Sequence, residues 1–128
     1  MAFPRLSRLE LRVMDALWSL GPSSGREVQE SFPEPGRPAY TTVLTIISRL
    51  EAKKAVRRAR KVGNAYIFEA VISRRATQSH MLDDFLRLFS GGMQPLMAQL
   101  VDSGRLTLED VQEAEKRLLE LREKGNTP

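Results

Sequence analysis

Apolar residues recur at helical spacing in the first twenty residues of the chain. The repeating positions are Leu9, Val13, Leu17 and Leu20. Ser7 and Glu10 have the spacing of a capping box, in which each side chain bonds the backbone of the other residue. Gly21 and Pro22 then interrupt the pattern. The pattern therefore predicts a helix over 7–20.

A second capping box opens a shorter helix. Ser24 and Glu27 have the required spacing, and the helix runs through Val28 to about Phe32. The PEPGRP segment that follows cannot continue it, because proline lacks the backbone donor that an inner helical turn needs. The second helix is thus about two turns long.

The segment PAYTTVLTIISRLEAKKAV, residues 38–56, carries the most regular apolar stripe. At about 100° per residue, the stripe covers about 100° of a helix and consists of Val43, Ile46, Ile47 and Leu50. The opposite face is mostly short in side chain and nearly free of acid, and consists of Thr41, Thr42, Thr45, Ser48 and Arg49. The pattern predicts a helix over about 40–54 that buries its stripe and exposes its polar face.

After Lys54 the pattern changes to that of β-strands. VRRAR and AYIFEAV, with β-branched and aromatic residues, flank a KVGN segment that contains a Gly-Asn turn. We therefore expect a hairpin over about 56–71, with Ile67 and Phe68 as its apolar contribution to a core. Its first arm and tip carry the basic residues Arg57, Arg58, Arg60 and Lys61.

Three further helices are predicted in the rest of the chain. Ser73 caps the first, which runs through Phe89 to a glycine pair. The second covers 93–103. The third begins at Thr107, which has capping spacing to Asp110, and its apolar residues follow a three-four spacing at Val111, Ala114, Leu118 and Leu121.

Together these elements predict a mainly α fold with a small β hairpin. Residues 1–72 are expected to form a winged helix-turn-helix domain, residues 73–124 a three-helix region, and residues 125–128 a frayed tail. A chain of 128 residues is long enough for a small domain with a helical appendage, whereas two large domains are excluded.

Composition narrows the function classes. The chain has no cysteine, which excludes thiol catalysis and thiolate metal sites and fits a reducing compartment. Its one histidine, His80, has apolar neighbours, and the adjacent Asp83 and Asp84 point about 100° apart on a helix. We expect no enzyme activity, metal or cofactor. With no signal-like apolar segment and no run of eighteen apolar residues, we expect a cytoplasmic protein that does not enter a membrane.

Charge is distributed unevenly along the chain. Residues 1–72 carry 12 Lys and Arg against 7 Asp and Glu, whereas residues 73–128 carry 8 against 9. The whole basic excess therefore lies in the first part. This asymmetry suits an N-terminal part that binds a polyanion and a C-terminal part with another task.

The order of three helices and a hairpin is typical of a winged helix, whose third helix enters the major groove of DNA while the hairpin contacts the backbone. The expected DNA-contacting residues are Tyr40, Thr41, Thr42, Thr45, Ser48 and Arg49 on the helix and Arg57, Arg58, Arg60, Lys61 and Asn64 on the hairpin. Short hydroxyl side chains allow close approach, and the hairpin cations would position the protein on phosphates. One alternative stays open: a winged-helix protein-interaction module without sequence-specific DNA binding.

The C-terminal helices carry more large apolar side chains than about fifty residues can bury alone. We expect them to form a homodimer interface that includes Met81, Phe85, Leu88, Phe89, Leu96, Leu100, Val111, Leu118 and Leu121. A two-fold dimer would present two reading helices to a pseudopalindromic operator. The alternative is a monomer whose helical part folds back on the winged helix.

Four segments carry a family resemblance: LSRLELRVMDALWSLGPSSGREV, AYTTVLTIISRLEAKKAV, KVGNAYIFEAVIS and LTLEDVQEAEKRLLEL. The chain resembles the penicillinase repressor (BlaI/MecI/CopY) family of bacterial transcriptional regulators, from Leu6 to Lys124. The most specific motif is TTV-x-T-x-x-x-RL, residues 41–50, in combination with E-x-x-VM-x-x-LW, residues 10–18.

The resemblance implies a homodimeric repressor that occupies a double-stranded DNA operator. In antibiotic-responsive members of the family, a membrane sensor metalloprotease triggers cleavage in the C-terminal helices, usually at an Asn-Phe bond. Gln99 and Leu100 stand at that position here, which counts against a regulatory protease as a partner. The copper-responsive members carry C-terminal cysteine pairs, and this chain has none, which excludes copper sensing through thiolates.

Overall fold

The computed structural model describes residues 3–125 and contains six helices and a small three-stranded sheet in this range. The elements in chain order are α1 (Arg8–Leu20), β1 (Ser23–Ser24), α2 (Gly25–Ser31), α3 (Tyr40–Ala52), β2 (Val56–Val62), β3 (Ala65–Ala70), α4 (Arg74–Leu86), α5 (Met93–Asp102) and α6 (Leu108–Glu123). The predicted mainly α fold with a winged helix is confirmed.

The first two helices begin as their capping patterns predict. Ser7 Oγ accepts from the Glu10 backbone N–H at 3.2 Å, and Glu10 Oε1 accepts from the Ser7 N–H at 2.7 Å. Ser24 and Glu27 repeat the arrangement at 3.1 and 2.9 Å. Each reciprocal pair satisfies backbone donors that the first helical turn leaves without a partner.

Helices α1 to α3 and the sheet enclose one apolar core. It consists of Val13, Met14, Ala16, Leu17, Val28, Phe32, Val43, Ile46, Ile47, Leu50, Ala55, Val56 and Phe68. Trp18 packs against this core and donates Nε1–H to the Ile72 carbonyl oxygen at 2.9 Å. The single tryptophan therefore has a packing role. All four stripe residues of the third helix lie in the core, as predicted.

Helix α3 ends about two residues before its predicted limit. Lys53 forms its C-cap, and Lys54 adopts the left-handed backbone conformation with φ 63°. This reversal lets the N–H of Ala55 bond the Leu50 carbonyl at 2.9 Å and places Ala55 in the core. A left-handed residue after the last turn is a common way to end a helix, although glycine usually supplies it.

The hairpin is present, and a third strand that the sequence did not predict extends it. Strands β2 and β3 are antiparallel and meet at a turn in which Gly63 has φ 59°. Strand β1 adds to the other side of β3, where Ser23 opposes Phe68. Two serines show no alternation of apolar and polar residues, so a strand of this length gives no sequence signal.

Helix α4 begins as predicted and ends early. Ser73 Oγ accepts from the Ala76 N–H at 3.0 Å, but the helix stops at Leu86 rather than Phe89. Beyond it, Leu88 and Phe89 make shorter-range bonds to carbonyls three residues back, both at 3.0 Å. The last predicted turn is thus a tighter, turn-like segment, a usual transition where an α-helix terminates.

Helices α5 and α6 match their predictions closely. Thr107 and Asp110 form a reciprocal capping box, with bonds of 3.0 and 3.1 Å, and the Asp110 pKa is lowered mainly by the Thr107 backbone donor. Helix α6 contains no buried residue. Of the predicted frayed tail, only Gly125 is described, and residues 126–128 lie outside the described range.

The chain divides into two compact units, Met1–Leu82 and Asp83–Pro128. The first holds the winged helix and most of α4, and the second holds the end of α4 with α5 and α6. The break between the compact units lies inside α4, whereas the sequence placed a domain boundary between Ile72 and Ser73.

Candidate nucleic-acid interface

The polar face of α3 is open to solvent. Its five residues, Thr41, Thr42, Thr45, Ser48 and Arg49, are all exposed. Thr45 Oγ1 donates to the Thr41 carbonyl at 3.0 Å, so this side chain offers an acceptor oxygen and a methyl group rather than a free donor. No acidic residue lies on this face, and its area is available to another molecule.

One flank of the polar face adjoins the hairpin. On a helical wheel Tyr40, Leu44 and Glu51 lie within about 40° of one another, next to the polar face. Glu51 Oε2 accepts from Arg58 Nε of β2 at 3.0 Å, and Tyr40 and Leu44 line a cleft with Tyr66 of β3. The hairpin therefore runs along α3 and brings its tip close to the first turn of the helix.

The four hairpin cations fall into two classes. Arg57 forms an ion pair with Glu69, its cross-strand neighbour, and Arg58 forms one with Glu51. Within residues 3–125, Arg60 and Lys61 make no ion pair, and both are exposed. The unpaired charge of the hairpin is therefore concentrated near its tip, where Asn64 is exposed as well.

An irregularity in the strand register aligns two of these cations. Arg58 opposes Phe68 and Arg60 opposes Ile67, so Ala59 is an extra residue in β2. Residues three apart point to opposite faces of a regular strand, but the extra residue puts Arg58 and Lys61 on the same face. Both lie over the ring of Tyr66, at 4.2 and 5.3 Å from its centroid.

The cleft between α3 and the hairpin tip includes a cation that the sequence analysis missed. Arg26, in the first turn of α2, places its guanidinium carbon 4.0 Å from the ring centroid of Tyr40. Tyr40, which the sequence places among the DNA-contacting residues, is thus engaged within the chain through one face of its ring. Arg26 follows a capping serine, but its sequence neighbourhood does not reveal a partner fourteen residues away.

The opposite end of α3 is fixed to the start of α1. Lys53 Nζ donates to Glu10 Oε1 and to the Arg5 carbonyl, both at 2.7 Å. Burial alone would raise the pKa of the Glu10 carboxyl, but the hydrogen bonds from Lys53 and Ser7, together with the lysine charge, outweigh it and lower that pKa. This buried carboxylate therefore stabilises the position of α3 without facing its polar face.

Most of the residues expected at a dimer interface are accessible in the single chain. Exposed are Met81, Phe85, Leu88, Val111, Leu118 and Leu121, and Phe89 and Leu100 are partly buried. Leu96 differs, because only 7% of its surface is exposed. It packs within its own chain, whereas the other eight keep part of their surface exposed. Gln99, in the pair at the family's cleavage position, is exposed on α5.

Within residues 3–125, no group of three or more histidine, cysteine or acidic side chains is arranged to hold a metal ion. No helix in the same range combines the length and the apolar character needed to cross a bilayer. The candidate site consists of the α3 face, the hairpin and the cleft between them.

Comparison with known sequences decides the family. The sequence model of the penicillinase repressor family, described as "Penicillinase repressor", matches residues 6–120. The chain belongs to this family. Two relatives named "Transcriptional regulator BlaI", from the Mycobacterium tuberculosis strains CDC 1551 / Oshkosh and ATCC 25618 / H37Rv, are each 37% identical over 101 residues. The match covers 78% of this chain and 64% of each relative, so the chain spans a little less than two thirds of their length.

Membership of the penicillinase repressor family confirms the resemblance inferred from the sequence. The motif TTV-x-T-x-x-x-RL has two structural components in this chain. Val43 and Leu50 are buried in the core, whereas its threonines and Arg49 are exposed. The part of the motif that packing does not require is therefore the part that faces solvent.

Proposed function

We propose that this chain is a cytoplasmic transcriptional repressor that binds a pseudopalindromic operator as a homodimer. Helix α3 enters the major groove, and the hairpin contacts the phosphate backbone. Two copies related by a two-fold axis present their α3 helices to half-sites about 10 base pairs, or a multiple of that, apart. The family description and the regulator names of the two relatives support the transcriptional role.

The observation that carries the proposal is the exposed polar face of α3 beside a basic hairpin tip. Thr45 presents a methyl group and an acceptor, which suit a thymine methyl and a base-edge donor. Arg49 has the reach for a bidentate contact to guanine or for a phosphate. Arg60 and Lys61 have no competing carboxylate within residues 3–125, and they would supply phosphate contacts that carry no sequence information.

The test begins with selection of bound duplexes from a random pool, which is expected to recover an inverted repeat. Arg49→Ala and Thr45→Ala should then reduce the affinity ratio between this operator and a random duplex, by about 1–3 kcal/mol for Arg49 if it reads a base. Lys61→Ala is the matched control, because a phosphate contact should weaken binding to both duplexes about equally.

Salt dependence separates the proposal from its alternative. Operator affinity should fall steeply with log[salt], with a slope expected for about 6 to 10 phosphate contacts. A flat response would favour a protein-interaction module. Equal effects of all three substitutions on both duplexes would show that the division into reading and positioning residues is wrong.

A further inference from the structure

The cleft between α3 and the hairpin tip is small, concave and free of acid. Its volume is about 190 Å³, and its lining residues are Ser24, Gly25, Arg26, Tyr40, Leu44, Asn64, Ala65, Tyr66 and Phe68. One of these nine is a cation and none is a carboxylate. The volume is more than ten times the roughly 10–15 Å³ that one water molecule needs by the same measure, which is room for a group larger than a solvent molecule.

The backbone around this cleft is closely packed. Gly25 begins α2, and a Cβ atom at this position would lie 2.7 Å from Leu44 Cδ2 and 3.5 Å from Tyr40 Cε1. The glycine therefore lets α2 approach α3 closely enough for Arg26 to reach the ring of Tyr40. Arg26 has no ion pair within residues 3–125, and its nearest polar partner is Gln29 Oε1, at 3.5 Å.

The dimensions of DNA place a backbone strand over this cleft if α3 occupies the major groove. The groove is about 12 Å wide, and an α-helix with its side chains is about 10–12 Å across. A helix that fills the groove thus has a sugar-phosphate strand along each flank. The hairpin lies along one flank of α3, so the strand on that side would run over the cleft between the helix and the hairpin tip.

We propose that the cleft is a phosphodiester-binding site of the operator complex, with Arg26 as the phosphate ligand and Tyr40 as the residue that positions it. This inference rests on the proposed function and adds a residue of α2 to the interface. The Tyr40 ring, 4.0 Å from the guanidinium carbon, positions the cation. Apart from the Nη1 bond to Gln29 Oε1, the N–H donors of Arg26 are available to a phosphate oxygen. Tyr40 acts through Arg26, and its hydroxyl is not required.

The experiment measures operator and random-duplex affinities of the full chain over a range of salt concentrations. Arg26→Gln should weaken binding to both duplexes by the same factor. It should also reduce the slope of log affinity against log[salt] by about 0.9 for each protomer bound, because one phosphate contact is lost per protomer. Arg26→Lys should keep the slope and weaken binding, since the charge remains and the planar set of guanidinium donors is lost.

Tyr40 provides a second, independent readout. Tyr40→Phe should bind as the unmodified chain does, because the ring is retained. Tyr40→Leu should weaken binding, and this effect should vanish when Arg26 is already Gln, as expected for two residues that act as one unit. Thermal melts of each variant establish that the domain is folded.

Arg12→Gln is the matched control, because Arg12 lies 4.9 Å from the ring centroid of Phe32 and forms the same kind of pair outside the cleft. Its salt slope should equal that of the unmodified chain. An unchanged slope for Arg26→Gln, or an equal loss for Arg12→Gln, would overturn the cleft assignment. Absence of salt-dependent binding by the unmodified chain would instead overturn the proposed function itself.

Discussion

At the scale of single residues, Glu10 and Lys53 form an ion pair in which the carboxylate is buried. Glu10 is 2% exposed, and its carboxylate receives the Lys53 ammonium group at 2.7 Å and the Ser7 N–H. Removing one partner of such a pair leaves a buried polar group without full hydrogen bonding, which costs more than the pair contributes when intact. The pair connects the C-cap of α3 to the first turn of α1, so its loss affects the helix that carries the polar face.

Glu10→Gln should lower the free energy of unfolding at pH 7 by about 1–3 kcal/mol, measured by urea denaturation. The Glu10 pKa is lowered in the folded state, so its stabilisation is present above the ordinary value of 4.5 and is lost as the pH falls through the folded-state pKa. The difference between the two proteins should therefore shrink on acidification below about pH 4.5.

The matched control is Glu27→Gln, which changes the other capping box, where the glutamate is exposed and has no lysine partner within residues 3–125. It should cost less than Glu10→Gln at pH 7. An equal cost for both substitutions, or a Glu10→Gln effect that is constant from pH 7 to pH 3, would contradict the role given to the buried pair.

At the scale of secondary-structure elements, the end of α3 contains a local conflict between residue type and backbone conformation. Lys54 has φ 63°, and a left-handed conformation costs an L-residue about 1–2 kcal/mol relative to its preferred regions. Lys54→Gly should therefore raise the free energy of unfolding by about 1 kcal/mol in urea denaturation. Lys54→Ala removes the same charge but keeps the Cβ atom, so an equal gain in both variants would show that charge rather than backbone strain is responsible.

The helices and strands also show why some features of the fold could be predicted from the sequence and others could not. The capping boxes and the amphipathic stripe of α3 depend on residues three or four apart, and local spacing contains that information. Strand β1 depends on its pairing with β3, and the early end of α4 leaves its apolar periodicity intact. Neither has a local signal.

The candidate site divides in the same way. Exposure of the α3 polar face follows from amphipathicity, so Thr41 to Arg49 could be chosen from the sequence. The stacking of Arg26 on Tyr40 joins two helices, and the pairing of Arg58 with Glu51 joins a strand to a helix. Contacts of this kind depend on tertiary packing and on the extra residue in β2, which no spacing rule predicts.

At the scale of the whole molecule, the proposed homodimer would give α6 a packing partner. None of its sixteen residues is buried in the single chain, whereas helices in proteins gain most of their stability by packing an amphipathic face against other elements. Val111, Ala114, Leu118 and Leu121 form a stripe with three-four spacing along one side. In the proposed homodimer, the same stripe of a second copy would cover it, and a two-fold dimer would match the symmetry of a pseudopalindromic operator.

The double substitution of Phe85→Glu and Leu118→Glu should therefore yield monomers, measured by sedimentation velocity. The two side chains are 46% and 55% exposed in the single chain, so a charge at these positions would be buried only in the proposed dimer interface. Leu119→Glu is the control: Leu119 is 50% exposed but lies about 100° around α6 from Leu118, off the stripe.

The monomeric variant should keep the affinity of one α3 for a half-site and lose the avidity of two linked sites, about 10²- to 10⁴-fold on the full operator. An intact dimer would remove both residues from the interface, and a dimer disrupted equally by Leu119→Glu would mean that the contact surface is not the stripe.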